Sequence, residues 1–206
     1  MRRHTPSPCK GEGWGGDQAR RADPGLMHFL AIDFETGTDE IASACSIGLA
    51  LGDERRVIRE YYSLIRPPRH DGWVSEIHHI AWEDVADQRS FAELWSEMKP
   101  FFDAADAFVA HKAQYDKAVL EATCAEAGIA PPDKPWICSL HLAEHMWKLP
   151  GYRLDQLSAR FGIGLERHNA LSDAQAALKL VQHALAEGGK PEFGLLKKSD
   201  RKRLPA

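Results

Sequence analysis

Between residues 28 and 68 the chain sets three strand-like runs in a row before any helical spacing begins. The first, residues 28–34, is a buried-strand pattern whose apolar run Phe29–Ile32 leads into the acids Asp33 and Glu35, with a turn expected at Thr36-Gly37-Thr38. The second, "IASACSIGLALG" (41–52), is rich in small residues that suit close packing. The third lies within "RRVIREYYSLIRPP" (55–68), where Pro67 and Pro68 end it. The "GDE" between the second and third runs is a turn signal, so these three strands are expected to form an antiparallel meander.

Downstream the period changes. Phe91, Leu94, Trp95 and Met98 recur at helical spacing, and "DAFVAH" (106–111) is again a short strand. Tyr115, Val119, Leu120 and Cys124 mark a helix that Gly128 closes. A strand-like piece with a helix follows in "PPDKPWICSLHLAEHMW", then a short amphipathic helix in "YRLDQLSARFGI". "NALSDAQAALKLVQHALAEGG" is the last long helix. An antiparallel meander followed by strand-helix alternation predicts an α/β domain with a mixed central sheet flanked by helices.

Residues 1–26 are rich in Gly, Pro and Arg, have no apolar period and lack the core of a secretory signal, so a disordered leader is expected there. The basic end, residues 190–206, is expected to be a mobile tail. No apolar run approaches the length of a membrane span. Cys9, Cys45, Cys124 and Cys138 lack zinc-ligand spacing and are expected as free thiols in a reducing, cytoplasmic setting. A net charge of -4 means that any polyanion must be held by locally positive groups.

Three short stretches carry chemistry. Asp33 and Glu35 are two apart on a strand, so they share a face at its end, where α/β sheets form crevices. Two solvated acids at a strand end are common; a hard-cation site is the alternative, because a divalent ion removes their repulsion. Asp116 lies one turn into a helix after a strand, which by itself suits the helix dipole. Ser172 and Asp173 by themselves read as capping residues. His168, five before Asp173, cannot share its face on one helix and belongs in the preceding loop, where it is able to act as a base. Jointly, four carboxylates and one histidine at strand ends and helix starts are the inventory of a two-metal phosphoryl-transfer site.

"DFET" (33–36), "HKAQYD" (111–116) and "HNALSDA" (168–174) resemble, in order and spacing, the three motifs of the DEDDh 3'-to-5' exonucleases. "IHHIAWEDVADQRSF" and "YRLDQLSARFGI" resemble the family's intervening segments. The resemblance implies a ribonuclease-H-like fold over residues 27–189 and two divalent cations, Mg²⁺ or Mn²⁺. It implies that Asp33 bridges both cations, that Glu35 and Asp173 complete the nucleophile-side site, and that Asp116 supports the second. His168 would take the proton of the attacking water. Thr36 and Gly37 would meet the 3'-terminal nucleotide, with His78 and Ile80 in the wall against it and His111 and Lys112 also at the substrate. Three positions depart from the family pattern. Lys112 stands where Asn is frequent, Cys138-Ser139 where Asp-Thr is frequent, and His79 where Gly is frequent.

The implied partner is nucleic acid with a free 3' end. The leading expectation is hydrolysis of single-stranded or frayed DNA to nucleoside 5'-monophosphates. An exoribonuclease of the oligoribonuclease or ribonuclease T type keeps the chemistry and changes the sugar. A non-catalytic binding module of the same fold is the reading from another class. A polymerase or repair partner and a homodimer are left open by the sequence.

Overall fold

The computed structural model describes residues 25–197. The expected leader lies outside the described residues except for Gly25 and Leu26, as does the chain after residue 197.

The meander forms as expected: β1 (Phe29–Thr36), β2 (Ala44–Gly52) and β3 (Val57–Leu64) pair antiparallel in sequence order. At the β2–β3 turn, Asp53 accepts hydrogen bonds from the amides of Arg55 (2.8 Å) and Arg56 (2.9 Å). The short helix α1 (Trp82–Val85) and α2 (Phe91–Ala104) come next. Ser90 and Glu93 cap α2 reciprocally, satisfying amides that the first turn leaves without partners. β4 (Ala107–Ala110), α3 (Gln114–Glu126), β5 (Trp136–Cys138), α4 (Ser139–Met146), α5 (Leu154–Phe161) and α6 (Ala170–Ala186) complete the alternation. The sheet order is β3-β2-β1-β4-β5, with β4 parallel to both β1 and β5.

Period-two alternation in β1 sorts its side chains between two layers. Leu30, Ile32 and Phe34 enter the layer with α2 and α3, where Phe101, Phe102 and Leu120 are buried. Phe29 and Ala31 enter the opposite layer with α4 and α6, against Ala174, Leu178 and Val181. β1 therefore sits at the centre of the sheet, buried on both faces. Because β1 and β4 run parallel, their C-terminal ends open at the same edge, and the loops after them meet there.

The beginning of the expected tail is docked. Residues Pro191–Gly194 form a 3-10 turn, Leu195 bridges Ile137, and the Leu196 amide donates to the Trp136 carbonyl at 2.9 Å. The physical reason is that β5 is a short edge strand whose outer backbone groups need partners. Cys45, Cys124 and Cys138 are buried free thiols. Among the described residues no helix is long and apolar enough to cross a membrane.

Candidate active site

Asp33 and Glu35 continue the Phe29–Ala31 side of β1, so they face α6. What lets α6 approach them is Gly48, directly opposite Asp33 on β2. A β-carbon at Gly48 would lie 2.2 Å from the Ala170 carbonyl and 2.3 Å from the Leu171 nitrogen, all backbone atoms of the first turn of α6. Between Glu35 and Thr36 the register of β1 shifts, which re-aims the strand end beside the site.

The start of α6 is tightly tied. The Asn169 side chain caps the helix by accepting from the Ser172 amide (3.2 Å), and Ser172 Oγ accepts from the Glu166 amide (2.8 Å). Asp173 therefore sits in the first turn and is not the capping residue. His168 lies just ahead of the helix in a left-handed conformation (φ 61°), and its amide donates to Asp173 Oδ2 at 3.3 Å. Asp116, in the first turn of α3, is only 3% exposed. Its Oδ1 accepts from the Phe34 amide at 3.1 Å, and that amide lies between Asp33 and Glu35 in the strand. Strand and both helices thus converge the four carboxylates and His168 at one sheet edge.

The electrostatics of the cluster are unfavourable for the protein alone. Burial first, then the charges of Asp116, Asp173 and Glu35, hold Asp33 well above the usual carboxylate range. Burial and Asp173 push Glu35 up to about 7. Burial pushes Asp116 up to about 8 despite the Phe34 amide, and Asp173 up to about 6. His168 moves the other way: burial, then Arg167 and His79, lower it, which favours the neutral imidazole at pH 7.

The donor set fits divalent cations. One ligand atom each from Glu35, His168 and Asp173 lie within 4.8 Å of one another. Asp173 Oδ1 is buried with no hydrogen-bond partner. An unpaired buried carboxylate oxygen beside three other acids is expensive unless a cation compensates it.

The residues expected at the substrate divide into two groups. On one side, Thr36 Oγ1 lies 2.8 Å from the Tyr115 hydroxyl, and the Gly37 carbonyl accepts from the Val74 amide at 2.7 Å. The Trp73 ring packs so close to Gly37 that a β-carbon there would lie 2.2 Å from it. His78 Nδ1 accepts from the Ile80 amide (3.1 Å), which leaves Nε2 protonated to donate to the Thr36 carbonyl (3.1 Å). His78 is thus turned inward as a pin between β1 and the 73–81 loop, while Ile77 beside it is 56% exposed. His79 fills its glycine-like position with φ 59° and points to solvent.

On the other side, His111 Nδ1 lies 2.9 Å from Ser139 Oγ, and burial with Lys112 lowers its pKa to about 4. Ser139 is therefore the partner that holds His111 in place. His111 and the exposed Lys112 line a cleft with Asp33, His168 and Asp173. Arg153, Asp155 and Arg167 line it too, and sequence reasoning singled out none of them. Arg153 and Asp155 lie in the "YRLDQLSARFGI" segment and Arg167 just ahead of His168, but nothing in their spacing brings them together; they meet because α5 folds beside the loop ahead of α6.

A mixed β3-β2-β1-β4-β5 sheet with four acids and a histidine at the β1–β4 edge defines a ribonuclease-H-like nuclease domain. The RNase_T exonuclease family model matches residues 30–181, and the chain belongs to the DEDDh 3'-5' exonuclease family. It is 31% identical over 156 residues to a PolC-type DNA polymerase III of Thermotoga petrophila, covering 74% of this chain and 11% of that protein. It is 29% identical over 167 residues to exodeoxyribonuclease 10 of Escherichia coli K12, covering 73% of this chain and 65% of that protein. The chain thus spans a small part of the polymerase and under two thirds of the exodeoxyribonuclease. Among solved structures, the nuclease domain of 3'hExo, a DEDDh family member bound to rAMP, superposes with TM-score 0.70 at 15% identity, covering 86% of this chain and all of that one. Exonuclease X in complex with 5' overhanging duplex DNA gives TM-score 0.62 at 21% identity, covering 82% and 96%.

Proposed function

We propose that this chain is a divalent-metal-dependent 3'-5' exonuclease that removes nucleoside 5'-monophosphates from single-stranded or frayed DNA. The observation that carries the reading is the convergence of Asp33, Glu35, Asp116 and Asp173, with raised proton affinities and an unpaired buried oxygen on Asp173. Two divalent cations held by these four side chains, Mg²⁺ or Mn²⁺, would stabilise the negative charge on the attacking and leaving oxygens.

The chain's own residues supply the rest. His168, neutral at pH 7 and half-buried beside Asp173, accepts the proton of the attacking water as the new P–O bond forms. The bond to the 3'-oxygen of the retained strand breaks, and that oxygen leaves as a hydroxyl after taking a proton from solvent. The strand end at Thr36–Gly37, braced by Trp73 and pinned by His78, provides a rigid seat for the terminal nucleoside. Rigidity matters because catalysis here is mostly positioning. The deoxyribose preference and a polymerase context are supported by the names of the two relatives, a DNA polymerase III and an exodeoxyribonuclease.

The test is a panel of 5'-labelled DNA and RNA oligonucleotides, single and double stranded, with Mg²⁺, Mn²⁺ or EDTA. A metal-dependent ladder shortening from the 3' end, abolished by Asp33→Ala, is expected. Internal cuts appearing first, or loss of the 5' label ahead of any shortening from the 3' end, would exclude the reading. Faster shortening of RNA would move the substrate to ribose and leave the chemistry intact.

A further inference from the structure

The cleft beside the carboxylates, about 220 Å³, is lined by charges of both signs. Asp33 and Asp173 line it together with Lys112, Arg153 and Arg167. Asp155 organises the two arginines. It is 3.2 Å from Arg153 and 3.4 Å from Arg167, so one carboxylate holds two guanidinium groups in place. Each contact uses one nitrogen of a group that has five N–H donors, so both arginines keep donors for a ligand. Among the described residues no ion pair engages Lys112, which is exposed and fixed by a left-handed backbone (φ 63°) at the start of the α3 turn. In the cleft Lys112, Arg153 and Arg167 stand beside Asp33, Asp155 and Asp173, so cationic donors are available there on a chain whose total charge is -4.

We propose that Lys112, Arg153 and Arg167, held by Asp155, form a phosphate subsite for the retained strand, one phosphodiester 5' of the bond that is cut. This rests on the exonuclease reading, which puts the scissile phosphate at the carboxylates. Lys112, Arg153 and Arg167 line the same cleft as Asp33, His168 and Asp173, so a strand whose scissile phosphate lies at the carboxylates brings its next phosphodiester to these cations. Guanidinium and ammonium donors facing an open cleft are the groups that hold phosphodiester oxygens. Such contacts fix the register of the strand and read no base.

The test uses the intact chain and a short oligodeoxythymidine carrying one uncharged methylphosphonate in place of that single phosphodiester. In the wild type the modification should lower kcat/KM about tenfold or more, the scale of one charge-assisted contact. In Lys112→Asn/Arg167→Gln the unmodified strand is cut less efficiently, and the methylphosphonate makes no further difference. Lys112→Asn suits the left-handed backbone, and both positions are exposed, so thermal melts should remain near wild type. Arg167→Lys should recover part of the sensitivity. Equal sensitivity in wild type and double variant, or none in the wild type, overturns the subsite alone. Failure of the wild type to shorten the unmodified strand overturns the exonuclease reading and the subsite with it.

Discussion

Gly48 offers the most direct test of how the fold assembles its site. It carries no functional atom, yet it stands opposite Asp33 and under the first turn of α6. In Gly48→Ala the new β-carbon would lie 2.2 Å from backbone atoms of Ala170. Ordinary carbon contacts begin near 3.5 Å, so the helix start must retreat by about 1 Å. A backbone obstacle of this kind cannot swing away as a side chain can. Asp173 and His168 ride on that turn and would withdraw from Asp33 and Glu35. A misplacement of about 1 Å is worth about 100-fold in rate, whereas overpacking of this sort costs about 1–3 kcal/mol of stability.

The two effects are separable with a control on the same strand. A β-carbon at Gly52 would lie 2.5 Å from the Arg56 carbonyl and 2.8 Å from Leu178, far from Asp173. Gly48→Ala and Gly52→Ala should therefore both lower the melting temperature by several degrees, read by circular dichroism. Only Gly48→Ala should lose about 100-fold in metal-dependent nucleotide release. If the two variants lose activity in the same proportion to their loss of stability, Gly48 is an ordinary packing position and the reasoning fails. Wild-type activity in Gly48→Ala would refute it outright.

Other consequences are open to measurement. In EDTA the melting temperature should fall as pH rises from about 5 to 8. Unfolded carboxylates release their protons near pH 4, while the folded chain keeps them up to about 6 at Asp173, 7 at Glu35 and 8 at Asp116. The folded state binds more protons across that window, so rising pH removes stability; a flat or rising profile in EDTA would contradict the cluster. Added Mg²⁺ should stabilise more at pH 8 than at pH 5. Asp173→Asn should melt higher than the wild type in EDTA at pH 8, because a repelling charge is gone. The same variant should lose at least about 100-fold in activity, the scale of one fixed transition-state contact; a lower melting temperature would count against repulsion. His168→Gln should lower kcat by about 10²–10⁴ with its substrate KM little changed, the mark of a lost base and not a lost binding contact.

The sequence displays the layers of this fold more openly than it displays the floor of the site. Strand and helix assignments follow from periodicity, since apolar side chains that alternate or recur at helical spacing must be buried together. Taken singly the four acids suited ordinary strand-end, helix-dipole and capping positions; as an ordered set with His168 they resembled the family's motifs. That Asp116 would be tied to the Phe34 amide is a different kind of fact. It depends on the parallel register of β1 and β4, which no local pattern encodes. The same holds for Asp155 with Arg153 and Arg167, whose meeting depends on where α5 packs. His78 shows the limit from the other direction. Its motif was legible, but both ring nitrogens turn out to serve the backbone, which only coordinates reveal.

Among the described residues three non-glycine residues have left-handed backbones: Lys112 and His168, which line the cleft, and His79, whose charge reaches His168. Each such residue costs about 1–2 kcal/mol, a penalty that glycine would avoid. The folded chain offsets it with local hydrogen bonds. The His79 amide donates to Ser75 (2.8 Å), the Lys112 carbonyl accepts from Tyr115 (2.9 Å), and the His168 amide donates to Asp173 (3.3 Å). At His168 glycine could make the same turn but would remove the imidazole beside Glu35 and Asp173. The backbone reversal is also what turns the His168 amide onto Asp173 while its ring stays over the carboxylates. At Lys112 glycine would remove a cation from the cleft wall. Strain persists at these positions because one residue must supply both the turn and the side chain, and that coincidence is most demanding where chain reversals surround a catalytic centre.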